Sequence, residues 1–217
     1  MPDARTLTIP RTARYFVAGE PGPSLREAWI VLHGYGQLAD AFLADFEPFV
    51  APGRAFLAPE GLSRFYLKNG GGPIGASWMT KVSRDDEIDD YVRFLDAVHG
   101  HALGLPPGAK GAVRVVVLGF SQGSATALRW ALRGRVAIDR VIAWGGGVPP
   151  DVDLARERAR LESLDLTLVA GTRDAYIDER RLEAETSRLH AARVPHRVVR
   201  FDGGHRLDRE TLARLIV

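Results

Sequence analysis

Ser121 stands between two glycines in the stretch Gly119-Phe120-Ser121-Gln122-Gly123, where the β-branched run VRVVVLGF gives way to the helical pattern QGSATALRWALRG. A serine hydroxyl at a tight strand-to-helix turn is exposed at its tip, and the next residue's N–H faces the place where an oxyanion forms. The two glycines suit such a turn, because positions flanking the serine have no room for side chains. Nucleophilic attack by serine needs a base, and the base needs a carboxylate to orient it. Two later loops supply them. Asp174 follows the apolar run LTLVAGT, and His205 follows HRVVRFDGG. Both sit just past the carboxyl end of an apolar run, the edge where open parallel sheets place their sites. Asp178 and Asp202 are competing acids. Asp178 opens a helical pattern and reads as a cap, and Asp202 lies only three residues before His205.

A second oxyanion donor is expected from the loop after the early run AWIVLHGYGQ. There the His33-Gly34 turn brings the backbone N–H of Tyr35 towards a substrate carbonyl, as partner to the N–H of Gln122. His33 itself reads as a structural residue within that loop. His99, His101, His190 and His196 fall in helix tails or a connection and are expected to face solvent. None shows a metal-ligand spacing, so no metal and no cofactor are expected.

These residues need a scaffold that ends several strands at one edge. Seven apolar or β-branched runs recur, at 15–19, 28–34, 54–61, 113–120, 140–147, 166–172 and 196–204. Most are continuous rather than alternating, the pattern of strands covered on both faces. A helix opens near Ser83, expected as its cap, with Asp85, Asp86 and Glu87 at the positive end of the dipole and Ile88, Val92, Leu95 and Val98 as its apolar stripe. Further helices are expected near 122–133, 178–193 and 206–216. Strands alternating with helices predict an α/β fold with a mostly parallel central sheet and helices on both faces, as a single domain over 1–217. The run NGGGP at 69–73 reads as a surface loop, since neither a G-x-G-x-x-G nor a phosphate-loop spacing follows it.

Composition excludes other classes. The 217 residues are 46% hydrophobic and 26% charged, an ordinary globular balance. The 29 basic residues are almost all arginine, but they interleave with 27 acidic ones, so the formal charge is only +2 and no nucleic-acid surface is expected. There is no cysteine, which rules out disulfides and a thiolate nucleophile. The N-terminal stretch has no apolar core of a secretory signal, and no window is long and apolar enough for a membrane span, so membrane insertion is not expected and a cytoplasmic location is.

Taken together, LHGYGQ, GFSQGSA, GTRDAYI and GGHRL resemble the phospholipase/carboxylesterase branch of the α/β-hydrolase superfamily, which includes acyl-protein thioesterase-like enzymes. The resemblance runs from about residue 28 to 217. It implies Ser121, Asp174 and His205 as nucleophile, acid and base, and the backbones of Tyr35 and Gln122 as oxyanion donors. It also implies a loop carrying a tryptophan near the acyl pocket, here Trp78. Phe65, Tyr66, Leu67 and Ile177 are further apolar candidates for the pocket wall. Two positions depart from the family pattern: Tyr35-Gly36 stands where Leu-Gly is common, and Ser124 where glycine is usual. Only the stretch GGGVPPDVDLARERARLESLD (145–165) occupies the place where a cap domain is usually inserted, so no cap is expected. The expected substrate is therefore a small or medium acyl ester reaching an open site without interfacial activation. Longer acyl chains or thioesters are the alternative, and a non-catalytic binding protein on this fold the remote one. Trp144, read as an exposed loop residue, permits a homodimer.

Overall fold

The computed structural model describes residues 3–69, 71–104 and 112–216. Seven strands form one sheet: β1 (Tyr15–Ala18), β2 (Glu27–Leu32), β3 (Arg54–Pro59), β6 (Arg114–Phe120), β7 (Arg140–Trp144), β8 (Asp165–Gly171) and β9 (Arg197–Phe201). Their spatial order is β1-β3-β2-β6-β7-β8-β9. Only β1 runs antiparallel to its neighbour; every other pairing is parallel. All seven expected runs are strands of this sheet.

The continuous apolar runs have a plain cause. Along β2, Ala28, Ile30 and Leu32 join one core, while Trp29 and Val31 join another on the opposite face. Both faces of the pleat are dry, so no polar alternation survives. The first core is covered by α2 (Arg84–Leu103), α3 (Gln122–Arg133), α4 (Arg158–Ser163) and α5 (Glu179–Ala191). The second is covered by α1 (Ala39–Leu43) and α6 (Arg209–Ile216). Between β7 and β8 lies only α4 and its loops, so the fold carries no cap domain.

Four expectations are corrected. The 69–73 run is not simply a loop: Gly71 and Gly72 begin β5 (Gly71–Ser77), which pairs antiparallel with β4 (Ser63–Lys68) in a separate hairpin, while Gly70 lies outside the described residues. Ser83 does not cap α2 with its side chain, because it sits at φ 49°, where its hydroxyl finds no helix N–H. The carboxylate of Glu87 reaches back instead to the N–H and hydroxyl of Thr80. His99 is buried on the stripe of α2 rather than facing solvent, since its position falls in register with Leu95 and Val92. Trp144 is also buried, at the end of β7, with its indole N–H donating to the Arg206 carbonyl at 2.9 Å. It therefore offers no exposed surface for a dimer.

Candidate active site

Strands β2, β6, β7, β8 and β9 run parallel, so their carboxyl ends share one edge, and the loops that leave this edge carry the candidate residues. Ser121 links β6 to α3 with φ 54° and ψ −114°, a region that L-residues rarely occupy. Its N–H is fixed by the Trp144 carbonyl at 2.8 Å. The flanking glycines are required by close approach. A Cβ on Gly119 would lie 2.1 Å from the Gly123 carbonyl oxygen, and one on Gly123 would lie 2.1 Å from that of Leu32. Strand, helix and the end of β2 thus converge where only bare backbone fits.

The structure brings Ser121, His205 and Asp174 together. The Ser121 hydroxyl lies 2.9 Å from His205 Nε2, and His205 Nδ1 lies 2.7 Å from Asp174 Oδ2. The second carboxylate oxygen of Asp174 accepts the N–H groups of Tyr176 at 2.7 Å and Ile177 at 2.9 Å. Burial alone would raise the Asp174 pKa, but those two N–H groups and His205 outweigh it and hold the carboxyl below its ordinary range. An ionised Asp174 accepts from Nδ1–H, which leaves Nε2 as the imidazole's acceptor. The ring is held between Phe120 and Tyr176, with centroids 4.9 and 4.6 Å away. The rival acids have other partners: Asp178 caps α5 by accepting the Arg181 N–H at 2.8 Å, and Asp202 pairs with Arg173.

The loop after β2 leaves one donor over. The N–H of Gly34 goes to Gln37 Oε1, that of Gln37 to the Gly34 carbonyl, and that of Gly36 to Ala76. Among the described residues, the N–H groups of Tyr35 and Gln122 have no acceptor. His33 is fully buried. Its Nδ1 donates to the Gly34 carbonyl at 2.8 Å, and Nε2 accepts the Gly61 N–H at 2.9 Å. Burial lowers its pKa, and with both nitrogens engaged the ring braces the loop as a neutral group.

A cleft of about 390 Å³ opens beside Ser121. Its floor runs along α3 through Ser121, Ala125 and Arg129, and its walls are the 145–150 segment, Ile177 and the first turns of α5. Of the five residues expected at the wall, only Ile177 lines it. Trp78 is 1% exposed and packs beneath the site, with its indole N–H on the His33 carbonyl at 2.8 Å and its ring against His33. Its backbone N–H instead meets the Gln122 side chain at 3.0 Å, so Gln122 pins this loop to the elbow. Phe65, Tyr66 and Leu67 lie on β4 of the hairpin that packs against the Tyr35 loop, and none of them lines the cleft. Phe65 packs on Tyr35 at 5.1 Å, and Tyr66 is 62% exposed. Arg129 was not singled out from sequence, although the spacing of Ser121, Ala125 and Arg129 at i, i+4 and i+8 places them along one side of a helix. Among the described residues no group of three or more His, Asp or Glu could hold a metal ion, and no helix is long and apolar enough to cross a membrane.

Comparison with known proteins agrees with this fold. The family described as Phospholipase/Carboxylesterase matches residues 15–216. A sequence comparison with curated proteins returned no match. Among solved structures, acyl-protein thioesterase 2 of Zea mays is 19% identical, with a TM-score of 0.71 over 94% of this chain and 96% of that one. Esterase PE8 is 20% identical, with a TM-score of 0.70 over 95% and 97%. The Bacillus cereus carboxylesterase is 17% identical, with a TM-score of 0.67 over 94% and 92%. At these identities the likeness to solved structures is one of fold, while the family match spans nearly the whole chain: the protein belongs to the phospholipase/carboxylesterase family of α/β-hydrolases.

Proposed function

We propose that this protein is a serine ester hydrolase that transfers an acyl group to water through a covalent acyl-enzyme on Ser121. The observation that carries this reading is the unbroken hydrogen-bonded chain from the Ser121 hydroxyl through His205 to Asp174, beside two N–H groups without acceptors. His205 Nε2 takes the hydroxyl proton as Ser121 Oγ bonds to the ester carbonyl carbon. The carbonyl oxygen becomes an oxyanion, held by the N–H groups of Tyr35 and Gln122, each worth about 3 kcal/mol at the transition state. Collapse breaks the bond to the alcohol, which leaves with the proton from His205. Water then gives a proton to His205 and attacks the acyl carbon. The second tetrahedral adduct releases the acid and restores Ser121.

The shape of the cleft favours small to medium acyl or alcohol groups, because its floor ends within three helical turns at a charged side chain, Arg129. A long apolar chain would have to bury that guanidinium against methylenes. Thioesters would be opened by the same steps. The test is hydrolysis of p-nitrophenyl esters from acetate to palmitate by the wild type and Ser121→Ala. The expected result is a maximum at short or medium chains and a fall in kcat of about four orders of magnitude or more in the variant. A palmitate maximum would contradict the size assignment. Near-normal turnover by Ser121→Ala would contradict the nucleophile.

A further inference from the structure

The inner end of the cleft is charged, and the charges there are unbalanced. Arg129 is 3% exposed yet lines the cleft two helical turns beyond Ser121. Its Nε and Nη2 bind Asp151 at 3.1 and 2.7 Å. Its Nη1 meets only Met79 Sδ and Tyr91 Oη, both at 3.5 Å, the outer limit of a hydrogen bond. Asp151 is also shared with Arg133 and with Arg84, whose guanidinium lies 3.6 Å from Asp85 as well, so three guanidinium groups face two carboxylates. Arg181, on the first turn of α5, also lines the cleft. It donates to the Tyr176 carbonyl, and no carboxylate pairs with it among the described residues. The one acidic lining residue, Glu185, is already engaged by Arg188 at 3.0 Å and by the Val148 N–H at 2.7 Å.

A buried cation whose Nη1 makes only long contacts to neutral groups attracts an anion, and the low-dielectric wall strengthens that attraction. The trough between Ser121 and Arg129 is floored by Ala125, whose methyl leaves room for a chain to lie along α3. Eight residues of helix rise about 12 Å, and a helical side chain leans back towards the N-terminus, which shortens the gap to a medium-length chain.

We propose that this cleft selects esters carrying an anionic group, such as a carboxylate, at the far end of the arm that lies over Ala125, with Arg129 and Arg181 as the groups that hold it. The inference rests on the ester-hydrolase reading and adds to it the charge of the substrate.

The test uses the full chain and two matched pairs of esters at low ionic strength. One pair places the charge on the acyl arm: mono-p-nitrophenyl adipate against p-nitrophenyl hexanoate. The other places it on the alcohol arm: the butyrate ester of 6-hydroxyhexanoate against hexyl butyrate. The expected result is a kcat/KM about 10-fold or more higher for the charged member of one pair, declining with added salt. The pair that shows it identifies which arm fills the cleft. In Arg129→Gln the charged-to-neutral ratio should fall towards one; because it is a ratio, partial loss of folded protein does not alter it. Should Arg129→Gln fail to fold, Arg181→Gln at the rim is expected to lower the same ratio. Equal or greater activity on the neutral member of both pairs overturns the anion preference and leaves ester hydrolysis standing. No turnover of any of the four esters overturns both.

Discussion

Three side chains drawn from loops 84 and 31 residues apart in sequence meet at hydrogen-bond distance because each follows a strand of the same parallel sheet. At this scale Asp174 has the most demanding role. Its two oxygens divide the work: one accepts the hydrogen bond of His205 Nδ1–H, and the other is anchored by backbone N–H groups that keep the carboxylate from turning. Asp174→Asn preserves that shape but offers Nδ1 an amide instead of an anion, so His205 loses its enforced tautomer. A fall in kcat of about 10⁴ is expected, with the circular dichroism spectrum unchanged. A loss below tenfold would mean that another group orients His205. That Ser121, Asp174 and His205 lie at one sheet edge was legible in the sequence because each falls within four residues of the end of an apolar run that carries a glycine. Trp78 was misplaced for the opposite reason. A tryptophan among small residues shows no sign of whether its ring points to the pocket or to the core, and here its N–H is drawn inward by the His33 carbonyl.

At the scale of elements, the strand-to-helix elbow depends on a residue outside the triad. Ser124 is fully buried and donates to the carbonyls of Gly119 at 2.7 Å and Trp144 at 3.0 Å. It ties the first turn of α3 to the ends of β6 and β7. Ser124→Ala removes that donor and should lower the unfolding free energy by about 1–2 kcal/mol, read as a shift in the urea midpoint. Labelling of Ser121 by a phosphonate should persist in this variant, and an unchanged midpoint would mean the two carbonyls are satisfied otherwise. The elements missed from sequence share a physical trait. Strand β4 is held by its pairing with β5 rather than by a core: it buries none of its residues fully, so no apolar run marks it. Helix α1 spans five residues, too few to show a helical period. The long helices and the doubly covered strands were legible because burial on a regular element writes its period into the residue types.

At the scale of the whole molecule, two buried histidines make stability depend on pH. His33 and His99 both have their pKa lowered by burial from the ordinary 6.5, against smaller opposing effects that include Glu60 and Asp96. The unfolded chain therefore binds protons on these groups at a pH where the folded chain does not. Their contribution is complete above about pH 6.5 and is lost as the pH falls below it. Asp151 and Asp174, both held low by their partners, extend the loss to more acid conditions. The urea midpoint should fall between about pH 7.5 and pH 5.5, and fall less in His99→Leu, which removes a buried imidazole whose Nδ1 has no partner. A midpoint that rises on acidification would contradict this assignment. The burial of His99 was not legible in the sequence, because one polar residue on an apolar stripe leaves the period intact.

The proposed hydrolysis requires Ser121 to be a nucleophile activated by His205. The most direct measurement is intact-mass and peptide mass spectrometry after brief exposure to a fluorophosphonate, on the wild type, Ser121→Ala and His205→Gln. One adduct per chain on the peptide carrying Ser121, absent in the first variant and strongly slowed in the second, is the predicted result. An adduct on another residue, or equal labelling without His205, would contradict the account.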